Sequence, residues 1–130
     1  MRKMCLIVDD EPSIRAYLKA ILQTEGFEGL EADDAPKAFR LIQKLNGGLD
    51  LVVTDVNMPG DMDGLDLAYA IRDAFPAIRV IVMSGYSLPG PTKRPLGEFV
   101  FLEKPFKPET ILNAVKKTVV PLRRTAAPQL

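Results

Sequence analysis

Apolar residues along the chain form short continuous runs, and these alternate with longer segments of helical period. A continuous run bounded by polar or turn-forming residues is typical of a strand buried on both faces of a parallel sheet. Four strands are predicted in this way, over residues 4–8, 51–54, 79–83 and 99–103, and a weaker one, interrupted by Gly29, is predicted over residues 27–32. Their alternation with helical segments predicts an α/β fold built from strand–helix–strand units.

The segments between the runs carry apolar residues three and four positions apart, as amphipathic helices do. Helices are predicted from residue 12 to near 26, over about 35–45 and 65–74, and from 108 to about 119. No apolar period remains from Pro121 onward. We therefore expect a single domain over residues 1–120 and a mobile C-terminal tail over residues 121–130.

The segment between the fourth and fifth strands departs from this pattern. Residues 86–98 contain Pro89, Pro91 and Pro95 as well as two glycines. A proline inside a helix costs about 3 kcal/mol or more, because it removes a hydrogen bond and clashes with the preceding turn. The fourth of five expected helices is therefore predicted to be short, irregular or disordered.

Composition narrows the possible functions. The chain has 130 residues, of which 47% are hydrophobic, and it balances 17 basic against 17 acidic residues. This balance gives no reason to expect binding to nucleic acid or membrane. The lack of histidine excludes histidine-based catalysis and metal sites, and Cys5 has no disulfide partner. Without a signal peptide or a membrane span, a cytoplasmic protein is expected.

Polar residues follow four of the predicted strands. Asp9 and Asp10 follow the first strand, Asp55 the third, Ser84 the fourth and Lys104 the fifth. Because carboxyl ends of parallel strands share one edge of the sheet, where such sheets bind ligands, these side chains are expected to meet there. Crowded carboxylates need a cation, and oxygen ligands suit Mg²⁺, with Mn²⁺ as the alternative.

A lysine and a hydroxyl beside such a metal suit a transferring phosphoryl group, since metal and ammonium neutralise its oxygens. Asp55 is the candidate nucleophile, because carboxylates can form aspartyl-phosphate intermediates. Each residue alone has an ordinary structural explanation, such as a helix cap for the acid pair or a turn for Ser84. Their occurrence at the same end of four strands favours a shared site.

In these motifs the sequence resembles the receiver domains of two-component response regulators. The matching residues are Asp9-Asp10-Glu11, residues 53–59, Asp63-Gly64, residues 83–86 and residues 101–106. The resemblance extends from about residue 3 to residue 119. It implies the fold of chemotaxis regulators, a flavodoxin-like, doubly wound five-stranded parallel sheet of order 2-1-3-4-5 with helices on both faces.

The resemblance also implies a role for each site residue. Asp55 would accept a phosphoryl group from a sensor histidine kinase or a histidine phosphotransfer protein. Mg²⁺ would be held by Asp10, Asp55 and the backbone carbonyl of Asn57, with Asp9 acting through a water. Lys104, ahead of an expected cis bond to Pro105, and Ser84 would contact the phosphoryl oxygens. Ser84 and Phe101 would form the switch that remodels a protein-binding face.

The resemblance leaves the setting of the domain open. One interpretation is a stand-alone regulator, a monomer or weak dimer, that passes its state to an unknown downstream protein. The other is the receiver of a hybrid histidine kinase in a phosphorelay. In both, the chain is a phosphoacceptor that assists its own phosphorylation and dephosphorylation, not an enzyme. A haloacid-dehalogenase-like phosphohydrolase is disfavoured, because Asp9-Asp10-Glu11-Pro12 does not supply the pattern that this class carries after its first strand.

Overall fold

The computed structural model describes residues 3–85 and 99–126, with side chains as far as residue 118. Five strands and four helices are present in this part of the chain. In order they are β1 (Lys3–Val8), α1 (Pro12–Gln23), β2 (Phe27–Ala32), α2 (Ala35–Lys44), β3 (Leu51–Asp55), α3 (Gly64–Ala74), β4 (Arg79–Ser84), β5 (Val100–Glu103) and α4 (Pro108–Ala126). The five predicted strands and the four predicted helices outside residues 86–98 are confirmed, with shifts of a few residues at most except at the end of α4.

The strands form one parallel sheet in the order β2-β1-β3-β4-β5, as the resemblance implied. Val8 at the end of β1 lies opposite Ala32 of β2 on one side and Thr54 of β3 on the other. On the far side of β3, Ser84 of β4 lies opposite Glu103 of β5. This register brings the carboxyl ends of β1, β3, β4 and β5 to the same edge of the sheet.

Two apolar layers enclose the sheet, which explains why its central strands β1, β3 and β4 are largely continuous apolar runs. In β1, Leu6 and Val8 point to the layer covered by α2 and α3. Cys5 and Ile7 point to the opposite layer, which is covered by α1 and α4. Because neighbouring residues of a strand face opposite sides, burial of both faces requires an apolar side chain at every position.

The last helix extends beyond the predicted domain boundary. It was expected to end near residue 119, but its backbone continues through Pro121 to Ala126. Proline removes one helical N–H, but the residues that follow, including Leu122, Arg123 and Arg124, are good helix formers. The mobility expected of residues 121–130 stays a prediction, and residues 127–130 lie outside the described residues.

Two further expectations concern the rest of the chain. The short or irregular fourth helix falls within residues 86–98, which lie outside the described residues. Among the helices that are described, none combines the length and the apolar character needed to cross a membrane.

Candidate functional site

Asp9 lies directly after β1 and is completely buried. Its backbone N–H donates to the carbonyl of Ala32, and this bond extends the hydrogen bonding between β1 and β2 by one residue. Its Oδ1 accepts a 2.9 Å hydrogen bond from the backbone N–H of Glu11, and its Oδ2 accepts a 3.0 Å bond from Lys104 Nζ. A buried carboxylate is stable only when its oxygens have such partners. Asp9 is therefore fixed in orientation.

Asp55 is the last residue of β3 and is also buried. Its Oδ1 is shielded from solvent and accepts no hydrogen bond, although Lys104 Nζ lies 3.4 Å away. Burial has the largest influence on the pKa of Asp55 and raises it above the usual range. The charge of Lys104 lowers that pKa, while the charge of Asp9 raises it again. Asp55 is thus a desolvated carboxylate with an unfilled acceptor atom.

Lys104 follows β5 and joins the two buried acids. Its ammonium lies 3.0 Å from Asp9 Oδ2 and 3.4 Å from Asp55 Oδ1. Its backbone N–H donates to the carbonyl of Ser84, which fixes the end of β5 against β4. Burial opposes the charge of this lysine, but the hydrogen bond to Asp9 and the negative charges of Asp55 and Asp9 outweigh it and raise the pKa of Lys104. The expected cis bond between Lys104 and Pro105 is present.

Asp10 completes a cluster of three carboxylates. Asp9, Asp10 and Asp55 each offer an oxygen, and these oxygens lie within 4.8 Å of one another. Asp10 is exposed, whereas the other two acids are buried, so the cluster opens to solvent on one side. Three carboxylates against one ammonium leave a net negative charge, and the donors are all oxygens. This set, with the unfilled Oδ1 of Asp55, fits a hard divalent cation.

The remaining predicted site residues lie around this cluster. Ser84 is buried at the end of β4, beside Met83, whose carbonyl accepts from the backbone N–H of Val56. Asn57 is exposed, and its backbone N–H favours the charged form of the Asp55 carboxyl and so lowers its pKa slightly. Phe101 lies on β5, half-buried, and packs against the apolar layer that α2 and α3 cover. The strand register therefore brings together the residues predicted for phosphoryl and cation binding.

The first turn of α3 passes very close to the end of β3. A Cβ placed on Gly64 would lie 1.7 Å from the backbone carbonyl oxygen of Asp55, so only glycine fits there. The backbone N–H of Gly64 donates to the carbonyl of Val56. Asp63 caps the helix, and its side chain and that of Asp66 each accept from the other's backbone N–H. These contacts fix the chain that follows Asp55.

Two residues of this region were not singled out for a role by sequence reasoning. Gly64 was noted only as part of the resemblance, and the reason for a glycine there is a contact that no local pattern reveals. Arg15 contacts the carbonyl of Asp9 and the carboxylate of Glu31. Its partners lie 6 and 16 residues away in sequence, and the second contact depends on how β2 pairs with β1.

Comparisons with known proteins agree with this geometry. The sequence model of the response regulator receiver domain matches residues 5–116. Sporulation initiation phosphotransferase F of Bacillus subtilis (strain 168) is 33% identical over 119 residues, which cover 90% of this chain and 94% of that protein. Sensor kinase CckA of Brucella abortus (strain 2308) is 35% identical over 119 residues, which cover 86% of this chain but only 12% of the kinase. The crystal structure of the receiver domain from hybrid histidine kinase CckA superposes with a TM-score of 0.74 at 31% identity, covering 89% of this chain and 98% of that domain.

Proposed function

Because the chain belongs to the response regulator receiver domain family of two-component signalling, we propose that Asp55 accepts a phosphoryl group from a phosphohistidine of a partner protein. The observation that carries this proposal is the position of Lys104, whose ammonium contacts both buried carboxylates of the cluster formed by Asp9, Asp10 and Asp55. Receiver domains interact with histidine kinases or phosphotransferases, and they are phosphoacceptor regulators rather than classical enzymes.

The acidic cluster would hold Mg²⁺, with Mn²⁺ as a substitute. Its ligands would be the carboxylates of Asp10 and Asp55 and the backbone carbonyl of Asn57, while Asp9 would act through a water. The fit rests on the all-oxygen donor set and on the buried, unfilled Oδ1 of Asp55. A divalent cation there supplies charge that neutralises both the carboxylates and the phosphoryl oxygens.

The phosphoryl transfer itself forms one bond and breaks one. A carboxylate oxygen of Asp55 attacks phosphorus, the P–N bond to the partner's histidine breaks, and the electron pair of that bond stays on the imidazole nitrogen. Lys104 would then exchange its contact with Asp55 for one with a phosphoryl oxygen while keeping Asp9 as its second partner. Fixed groups of this kind stabilise the transferring phosphoryl through position and charge.

Ser84 and Phe101 would report the phosphorylated state to a protein partner. Ser84 lies beside the carboxyl end of β3, and its carbonyl is bonded to the backbone N–H of Lys104. Phe101 is only half-buried, which leaves its ring room for a second packing arrangement. A hydrogen bond from the Ser84 hydroxyl to a phosphoryl oxygen would favour one of two arrangements of β4 and β5.

The proposal is tested by incubating the chain with MgCl₂ and acetyl phosphate and measuring its intact mass. The native chain is expected to gain the mass of one phosphoryl group, and Asp55→Asn is expected to gain none, because the acceptor oxygen is lost. Asp61→Asn serves as a matched control, since it removes an exposed loop acid close in sequence and is expected to behave like the native chain.

Two results would contradict the proposal. One is a native chain that stays unmodified in the presence of Mg²⁺, and the other is equal modification of the native chain and Asp55→Asn. Lys104→Ala extends the test, because loss of the ammonium should slow phosphorylation by a factor of about 10² or more at unchanged cation concentration.

The similar proteins support both interpretations of the domain, as a stand-alone regulator and as a receiver within a longer protein. The match to sporulation initiation phosphotransferase F spans nearly all of that protein, which favours a single-domain regulator. The match to sensor kinase CckA spans an eighth of the kinase, which favours a receiver within a longer protein. A histidine phosphotransfer domain added to the phosphorylated chain distinguishes a relay, in which the phosphoryl moves to its histidine, from a regulator that acts by contact alone.

A further inference from the structure

Arg15 of α1 is bonded to the loop that carries the acid pair. Its Nη1 donates a 2.7 Å hydrogen bond to the backbone carbonyl of Asp9, and its Nε donates a 2.9 Å bond to Glu31 Oε1 on β2. The side chain is only 17% exposed, so water competes little for these bonds. Arg15 contacts neither Asp55 nor Lys104 through any of these bonds, and its role at the site is therefore indirect.

The carbonyl of Asp9 belongs to the peptide group that joins Asp9 to Asp10. A peptide group is planar, so fixing its carbonyl also fixes the N–H of Asp10 and the direction in which Asp10 leaves the sheet. The side chain of Asp9 has its own partners in Glu11 and Lys104. Arg15 supplies the constraint on the next residue, the exposed acid of the cluster.

Glu31 fixes the orientation of the Arg15 guanidinium, so that its Nη1 faces the carbonyl of Asp9. Its Oε1 accepts from Arg15 Nε, while Lys19 Nζ lies 3.4 Å from its Oε2. The hydrogen bond from Arg15, which outweighs the effect of burial, lowers the pKa of Glu31. The rigid fork of a guanidinium can serve two acceptors in fixed directions at once, which a lysine ammonium on a flexible stem does less well.

We propose that Arg15 is a positioning residue that orients the Asp9–Asp10 peptide and so sets the affinity of the acidic cluster for a divalent cation. The proposal rests on the proposed function, because it takes the cluster to be a cation site. The change in cation affinity that it predicts for loss of Arg15 is opposite in sign to the change expected from charge alone. Removing a positive charge near a cation site would by itself tighten cation binding, whereas removing a positioning residue weakens it.

The test titrates MgCl₂ into the metal-free chain by calorimetry, with no phosphodonor present. Arg15→Ala is expected to raise the dissociation constant for Mg²⁺ about tenfold, the lower end of what loss of a supporting partner costs a metal site. Arg15→Lys keeps the charge but loses the fork, and its dissociation constant is expected to rise about threefold. Lys19→Ala is the matched control, since it removes a cation from Glu31 without touching Asp9, and it should bind Mg²⁺ as tightly as the native chain or slightly more tightly.

The outcomes separate this proposal from the proposed function. If the native chain binds Mg²⁺, Asp55→Asn binds it at least tenfold more weakly, and Arg15→Ala binds as the native chain does, the positioning role is overturned while the cation site stands. If the native chain binds no Mg²⁺, the proposed function is overturned and this proposal with it. Urea unfolding of each metal-free variant checks that it is folded, and should Arg15→Ala fail to fold, native-like binding by Arg15→Lys is the overturning result.

Discussion

At the scale of single residues, the environment of Asp55 disfavours its own charge. Its carboxylate is buried at the end of β3, next to a second buried carboxylate, and only one ammonium is shared between them. Burial, followed by the charge of Asp9, raises the pKa of Asp55 despite the opposing charge of Lys104. Residues arranged for a reaction rather than for stability commonly show this kind of perturbation.

The raised pKa of Asp55 predicts how stability depends on pH. Between the unfolded-state pKa of about 3.9 and the higher folded-state value, the folded chain binds more protons, so the stability of the metal-free chain falls as pH rises through that window. Asp55→Asn removes the titrating carboxyl and with it this dependence of stability on pH. In EDTA at pH 7 it should raise the free energy of unfolding, and the gain should vanish near pH 4. Urea unfolding followed by far-UV circular dichroism measures both values.

Asp61→Asn is the control for this prediction, because it removes a charge from an exposed loop position. Its effect on the free energy of unfolding should stay within about 0.5 kcal/mol over the same pH range. A metal-free Asp55→Asn that is less stable than the native chain at pH 7 would show that the shared ammonium stabilises Asp55 more than burial destabilises it.

At the scale of secondary-structure elements, the contact between α3 and β3 holds the loop after Asp55 in place. Gly64 begins α3, and its missing side chain lets the helix approach the backbone carbonyl of Asp55. The reciprocal capping by Asp63 and Asp66 fixes the same turn from its other side. Asp55 therefore lies at a junction between two elements whose distance is set by backbone contact.

Gly64→Ala is expected to destabilise the chain, although alanine is the better residue in most helices. Alanine gains up to about 1 kcal/mol over glycine inside a helix, but here its Cβ would overlap the carbonyl oxygen of Asp55. Overpacking of this kind should lower the free energy of unfolding by roughly 1–3 kcal/mol. The measurement is urea unfolding of the metal-free variant.

Gly85→Ala is the matched control, because a Cβ there meets nothing within 4 Å and the residue is exposed. It should unfold at nearly the same urea concentration as the native chain. Equal stability of Gly64→Ala and the native chain would mean that α3 moves away from β3 at little cost and does not fix the loop.

The elements differ in how far the sequence predicted them. Continuous apolar runs identified four of the five strands, because burial on both faces demands them, whereas the edge strand β2 carries two exposed glutamates and gave a weaker signal. One polar residue at the end of a run was enough to place Ser84 or Lys104 at the sheet edge. The end of α4 was set too early, because a proline weakens a helix without ending it when helix-forming residues follow. The contacts of Arg15 and Gly64 depend on how separate elements meet in space, which no local pattern encodes.

At the scale of the whole molecule, a two-layered core supports a charged edge. Both faces of the sheet are covered by apolar side chains, and the described part of the chain buries only four polar or charged residues. Three of them, Asp9, Asp55 and Ser84, lie at the site, and the fourth, Thr54, precedes Asp55. The buried polar and charged side chains thus lie together at one edge of the sheet, where a bound cation would offset the cost of burying the two carboxylates.

Mg²⁺ is accordingly expected to stabilise the folded chain, since the unfolded chain does not bring the three carboxylates together. At a concentration 100 times its dissociation constant, Mg²⁺ should raise the free energy of unfolding by about 2.7 kcal/mol. The gain should be largely absent in Asp10→Asn, which removes one ligand of the cluster. Urea unfolding in MgCl₂ and in NaCl of equal ionic strength measures it.

An equal stabilisation by NaCl would attribute the effect to general screening of the acidic cluster. Equal stabilisation of the native chain and Asp10→Asn would place the bound cation elsewhere on the molecule.

The ion pair between Lys104 and Asp9 joins residues that are 95 positions apart. During synthesis on the ribosome, all three acids of the cluster emerge long before the lysine that neutralises them. Because domains generally fold as units, the ordered sheet edge forms only after β5 and Lys104 have been made. The charged edge of the sheet is therefore complete only when both ends of the domain are present, so a chain that stops before Lys104 would hold three carboxylates with no ammonium between them.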